Sequence, residues 1–188
     1  MIFKRKKAFS LLELLVVIAI IGIISVATTL SFQSIGRSQQ LGASVRGLEE
    51  TIGNARRKAI AANRVVEFRL RKDATGSGYS SYDAVVFDEF GATTTPVIRV
   101  QTLPVGFSFA TDSRSSLMTL AETTTTSPPS PALTYRSFRF QPDGSTDLSS
   151  SQLWYLTVVH ISATSPNSPD VASLTIHPTT GAVTTFRP

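Results

Sequence analysis

Few residues in this chain of 188 have the chemistry of a reaction centre. Cysteine is absent, which removes disulfides, thiolate metal sites and cysteine nucleophiles. The two histidines, His160 and His177, leave little for a histidine-based metal site. Both sit at the ends of strand-like runs, without G-x-S-x-G or another nucleophile signature. "DGSTD", Asp143 to Asp147, opens like a calcium loop, but it has two acids and no glutamate at the distance such a loop needs. Pro142-Asp143-Gly144 reads instead as a turn between strands. The expectation is a chain that is not an enzyme, with no catalytic residues, no metal and no cofactor.

One ionisable residue stands out by its surroundings. Glu13 lies in "SLLELLVVIAIIG", Ser10 to Gly22, an otherwise apolar run. A carboxylate within a membrane helix costs about 2.5–3.5 kcal/mol on insertion scales and marks a function by default. Removing it would leave an ordinary anchor or export signal.

The remaining charge is uneven. Lys4, Arg5, Lys6 and Lys7 precede the apolar run, and nine cations face three acids between Arg37 and Lys72. From Asp73 onward nine acids outnumber five cations. Arg56, Arg57, Lys58, Arg64, Arg69, Arg71 and Lys72 form one basic stretch with two readings. It can meet DNA phosphates. It can also attract the acidic head of a neighbouring subunit, which is the plainer reading because no aromatic residues interleave with it.

These residues need elements to hold them. Between Leu14 and Gly36 there is no charged residue, and Leu14 to Leu30 is near the length of a membrane-crossing helix, about 20 residues. In lipid a single segment satisfies its backbone only as a helix. The preceding cations predict a cytoplasmic N-terminus and a single-pass anchor, with the chain beyond it outside the inner membrane. Leu41, Val45, Leu48, Ile52, Ala55, Ala59 and Ala62 step by four and three, predicting an amphipathic helical stem that ends near Asn63. Gly42, Gly47 and Gly53 weaken that stem by about 1 kcal/mol each, so it depends on packing.

After Asn63 the period becomes two. Val66, Phe68 and Leu70 alternate with Glu67, Arg69 and Arg71 as a half-buried strand. Further strands are predicted at Tyr82–Phe87, Val97–Leu103, Val105–Phe109, Tyr135–Phe140, Leu153–Ile161, Ala172–His177 and Ala182–Phe186. "ETTTTSPPSP", Glu122 to Pro131, is expected to be a loop. The predicted fold is α+β, with a long N-terminal helix packed against a mainly antiparallel β-sheet head. Its parts are a basic leader (1–8), a transmembrane and assembly helix (9–35), a stem (36–63) and the head (64–188).

A short basic leader, a small residue, Phe9 and then "SLLELLVVIAIIGIIS" resemble the N-termini of type IV pilins and of type II secretion pseudopilins. The resemblance implies a prepilin peptidase that cuts between Ala8 and Phe9 and methylates the new amine of Phe9. It makes Glu13 the assembly glutamate, which pairs with that amine on a neighbouring subunit. The family usually has glycine before the cut, where this chain has Ala8. "LPVGFSF", "FRFQPDGST" and "LTIHPTTGAVTTFRP" are similar to minor pseudopilins of the H type and FimT-like minor pilins. "QLWYLTVV" and the threonine-rich insertion resemble a variant set called Verru_Chthon cassette protein D. The implied partners are the prepilin peptidase, other pilin or pseudopilin subunits, the inner-membrane assembly platform and the lipid bilayer.

Two alternatives stand beside this reading. "SVA", Ser25 to Ala27, resembles a signal-peptidase site, which would release a soluble β-domain starting at Thr28. A DNA-binding minor pilin keeps the fold and changes the ligand.

Overall fold

The computed structural model describes residues 11–73, 78–88, 94–125, 133–161, 163 and 170–187, with backbone alone for 26–35 and 94. The chain divides into two compact units, Met1–Gln39 and Gln40–Pro188. A single helix, α1, runs Leu11–Ala62.

In the first unit every described side chain from Leu11 to Ser25 is exposed. Glu13 lies in the first turn of α1. Leu, Val and Ile occupy all sides of this stretch, so it has no polar face to offer water. Among the described residues, no helix is long and apolar enough to cross a membrane.

In the second unit α1 has one buried face. Leu41, Val45, Leu48, Ile52, Ala55 and Ala59 are almost inaccessible and join the main core, as their spacing predicts. Ala62, the last member of the predicted stripe, is exposed. The helix stops one residue later because Asn63 takes a left-handed conformation, φ 50°. Asparagine tolerates that region better than most side chains. The Arg64 amide then closes on the Ala59 carbonyl at 3.2 Å.

Among the described residues nine strands follow: β1 (Val66–Lys72), β2 (Tyr79–Phe87), β3 (Thr94–Thr102), β4 (Phe107–Phe109), β5 (Glu122–Thr125), β6 (Leu133–Phe140), β7 (Trp154–His160), β8 (Val171–Ile176) and β9 (Val183–Phe186). They form one antiparallel sheet ordered β5-β6-β1-β2-β4-β7-β8-β9, with β3 also paired to β2. Phe68, Leu70, Phe109, Phe138, Phe140, Leu156, Leu174 and Ile176 are among the large, fully buried side chains of the core. In β1 the apolar face is as read from the sequence, since Val66, Phe68 and Leu70 belong to that core, but Glu67 on the other face is buried as well.

Several boundaries differ from expectation: β2 and β3 each begin three residues before the predicted start, and β6 two before. Glu122–Thr125 is a strand rather than loop, because it pairs in register with Leu133–Arg136 of β6. The rest of the expected loop, 126–131, lies outside the described residues. Val105 is fully exposed and precedes β4, since Pro104–Gly106 turns the chain. Gly106 has φ +89°, and a Cβ there would fall 2.8 Å from His160 Nε2. Leu153 and Ile161, expected as the ends of one strand, are exposed residues flanking β7.

β4 is only three residues long and covers only the C-terminal end of β7. Serine hydroxyls serve part of what remains. The amide of Thr157 donates to Ser115 Oγ at 2.9 Å and that of Tyr155 to Ser116 Oγ at 2.8 Å. Ser116 Oγ in turn donates to the Leu153 carbonyl at 3.0 Å. Side chains at the start of the 3-10 turn Ser116–Thr119, Ser115 just before it and Ser116 within it, thus do the work of a missing stretch of strand.

Candidate functional site

The residues singled out in the sequence lie in different parts of the molecule. Ala8 and Phe9 lie outside the described residues. Glu13 is exposed, with leucines at 11, 12, 14 and 15 around it. An acidic group here also suits the helix start, where unpaired amides concentrate positive potential.

The basic stretch separates into two groups. Arg69, Arg71 and Lys72 lie on β1 and are matched by acids on the same sheet. Arg69 Nε donates to Glu67 Oε2 at 2.5 Å, Arg71 Nη1 lies 3.3 Å from Asp83 Oδ2, and Lys72 Nζ lies 2.9 Å from Glu122 Oε1. The Lys72–Glu122 pairing raises the lysine pKa and lowers that of the carboxyl. Arg56, Arg57, Lys58 and Arg64 lie at the end of α1 and just beyond it. Arg56 Nε donates to the Gly144 carbonyl at 3.1 Å, and Arg57 Nη2 to Asn54 Oδ1 at 2.6 Å. Arg57, Lys58 and Arg64 are exposed.

Two buried acids on β1 and β2 had no signal in the sequence beyond strand alternation. Glu67 accepts from Arg69 and from Ser137 Oγ at 2.9 Å. Asp83 is held by Arg71 through one oxygen, while its Oδ1 has no hydrogen-bond partner. Burial pushes the Asp83 carboxyl above its usual pKa, opposed by Arg71 and Arg69. Aromatic rings that the linear basic run lacks come from neighbouring strands. The Arg69 guanidinium lies 4.7 Å from the Tyr135 ring centre and that of Arg139 lies 4.9 Å from Phe87.

Arg56 belongs to a tight junction. The "PDG" turn before Thr146 and the "PTTG" turn before β9 meet the end of α1 there. The Thr146 amide donates to Pro178 O at 2.8 Å. A Cβ on Gly144 would come within 2.9 Å of Ile60, and one on Gly181 within 2.4 Å of the Gly144 carbonyl. Both glycines have positive φ. In "DGSTD" the acids serve their own backbone: Asp143 Oδ1 accepts from the Ser145 amide and Asp147 Oδ1 from the Arg139 amide. Among the described residues no three acids or histidines gather to hold a metal.

A shallow cleft of about 360 Å³ runs between α1 and the start of β9. Its helix side carries Arg46, Glu49, Glu50 and Gly53, and Ala182 and Val183 line the other side. Glu49 is engaged across it, accepting from Thr185 Oγ1 at 2.8 Å.

Comparison with known proteins adds two findings. A family model described as the prokaryotic N-terminal methylation motif matches residues 3–29. The crystal structure of the type IV minor pilin FimU of Pseudomonas aeruginosa (strain PAO1) matches with a TM-score of 0.51 and 12% sequence identity. That match covers 80% of this chain and 89% of the other. No curated protein sequence matches. A methylation segment at the start of a helix packed on an antiparallel sheet defines the class: the chain is type IV pilin-like. Within that class the solved fold it is similar to is that of a minor pilin.

Proposed function

We propose that the chain is a non-enzymatic minor pilin or pseudopilin subunit of a filament rooted in the inner membrane, of the type II secretion or type IV pilus kind. The observation that carries this is Glu13 in the first turn of a helix whose described side chains to Ser25 are exposed and overwhelmingly apolar. Such a helix is stable only among lipids or other helices. In this reading a prepilin peptidase cuts between Ala8 and Phe9 and methylates the new amine. The cut removes Lys4 to Lys7 and leaves one amine at the depth of Glu13. A neighbour staggered by about one helical turn brings its Phe9 amine to Glu13. In lipid the pair costs far less than either charge alone, so pairing selects the register of assembly. The head then lies in the periplasm, and the anchor is Leu14 to Leu30.

Mass spectrometry of the N-terminus from native membranes tests this. The expected start is N-methylated Phe9; a retained Met1 refutes processing. Glu13→Ala should leave cleavage intact while processed subunit stays in the membrane and is lost from sheared filaments. Release after Ala27 would cut inside α1, which is helical on both sides of that residue. A soluble product starting at Thr28 would establish that route. DNA binding rests on the exposed Arg57, Lys58 and Arg64, because the β1 cations are matched by acids. Duplex binding with a steep salt dependence that flattens in Lys58→Ala would favour it.

A further inference from the structure

Within the head, β9 runs alongside α1 in the opposite direction. A Cβ on Gly181 would lie 3.0 Å from the Arg56 side chain, Thr185 Oγ1 donates to Glu49 at 2.8 Å, and Arg187 Nη1 lies 3.5 Å from where a Cβ on Gly42 would stand. Six residue steps separate Gly181 from Arg187, about 20 Å of strand, and fourteen separate Arg56 from Gly42, about 21 Å of helix. The two axes are therefore nearly antiparallel, and the shallow cleft lies between them. Among the described residues β9 pairs only with β8, through a regular ladder without proline, lysine or bulge. An edge of that kind is a template for one more strand.

The helix wall of the cleft carries a charge pattern. Arg46 and Glu50 are exposed, and neither joins an ion pair among the described residues. Arginine four residues before glutamate is the poorer order for pairing along a helix. Arg57 is exposed as well, and its guanidinium folds back over Gly53, held by Asn54 Oδ1 at 2.6 Å and with Nη1 3.4 Å from where a Cβ on Gly53 would stand. Negative charge thus follows Arg46 after about 6 Å, and positive charge again after about 11–16 Å. Glu49 and Arg56 line the same wall in the same order, but Thr185 and the Gly144 carbonyl already engage them. Side chains on one face of a strand repeat about every 6.8 Å, so positions i, i+2 and i+4 come level with these three charges.

We propose that the cleft takes an extended segment of another polypeptide, added as a strand to the free edge of β9, with an acid, a base and an acid at alternate positions facing α1. That pattern reads the same in both directions, so the charge match holds for a parallel or an antiparallel strand. No acid-x-base-x-acid run occurs in this chain, so the occupant is a different chain and not a second copy. In the filament reading, on which this proposal rests, the segment belongs to a neighbouring, non-identical subunit. A short ladder is weak between free molecules, and the membrane-held helices supply the local concentration it needs.

The peptide acetyl-Thr-Glu-Val-Lys-Val-Glu-Thr-amide and its charge-reversed counterpart, with Lys for Glu and Glu for Lys, serve as probes. Hydrogen exchange of the full-length chain in detergent micelles, read by mass spectrometry at millimolar peptide, should slow across Val183–Phe186 with the first peptide. β5, which pairs only with β6 among the described residues, is the internal control and should not change. The reversed peptide should bind about tenfold more weakly. R46E/E50R/R57E alters three exposed positions and should invert the preference, and the milder Arg46→Gln should narrow it about threefold. The proposal is overturned by unchanged exchange in β9 with both peptides, by equal slowing with both, by equal slowing in β5, or by a preference that neither variant moves. N-terminal analysis of chain from native membranes keeps the two questions apart. A methylated Phe9 with an unprotected β9 removes the strand addition alone, whereas a protected β9 on a chain that retains Met1 supports the addition and removes filament maturation.

Discussion

Asp83 is a carboxyl that the fold places at a disadvantage. Its burial favours the neutral acid, so the folded chain binds the proton to higher pH than the unfolded chain does. The stabilising contribution is therefore present below the ordinary aspartate pKa, about 3.9, and is lost as pH rises through the higher folded-state value. Thermal melts of Asp83→Asn and the parent from pH 4 to 7 should show the difference in Tm moving in favour of the variant as pH rises. Asp112 and Asp143, whose pKa values are lowered by hydrogen bonds from Arg114 and Ser145, act in the opposite sense and are common to both chains. Glycines separate just as clearly. Gly181→Ala must hold a Cβ at φ +63° against the Gly144 carbonyl, and should cost about 2 kcal/mol or more in denaturant unfolding. Gly42→Ala meets only the end of Arg187 at ordinary contact distance and should add about 0.5–1 kcal/mol. The sequence shows both as glycine, and only the neighbours tell a required one from a replaceable one.

At the scale of elements, the β7 edge shows how a short strand is supplemented. Ser115 is inaccessible, and its hydroxyl receives the Thr157 amide. Ser115→Ala leaves that buried amide without its acceptor, a loss of about 1–3 kcal/mol. Fluorescence of the single tryptophan, Trp154, which is buried on the same strand, reports the unfolding midpoint, and hydrogen exchange at Thr157 should quicken. The stem and β1 were legible from periodicity, because each presents one apolar face to one core. β5 was not: threonine and glutamate without apolar alternation resemble loop, and only pairing with β6 makes Glu122–Thr125 a strand. The same limit concealed the division of the basic stretch. Strand neighbours such as Asp83 and Glu122 are distant along the chain, and they decide which cations are already matched.

For the molecule as a whole, the halves of α1 answer to different environments. Leu48 is inaccessible in the head core, so Leu48→Ala should lower head stability by about 2–5 kcal/mol. Leu15 is 60% exposed, and Leu15→Ala should leave the head's unfolding curve unchanged while reducing retention of the subunit in membranes or filaments. Comparing denaturation with membrane fractionation for the two variants checks this directly. The N-terminal methylation motif, which matches residues 3–29, was readable from sequence because its pattern is linear: four cations, a small residue, Phe9 and Glu13 follow within thirteen positions. The α+β class was readable too, since periodicity changes from helical to alternating at Asn63. Tertiary structure alone decided which arginines are matched and which glycines are needed. Those properties depend on contacts between residues far apart in the chain, such as Arg56 with Gly144 and Glu49 with Thr185, and local pattern does not encode them.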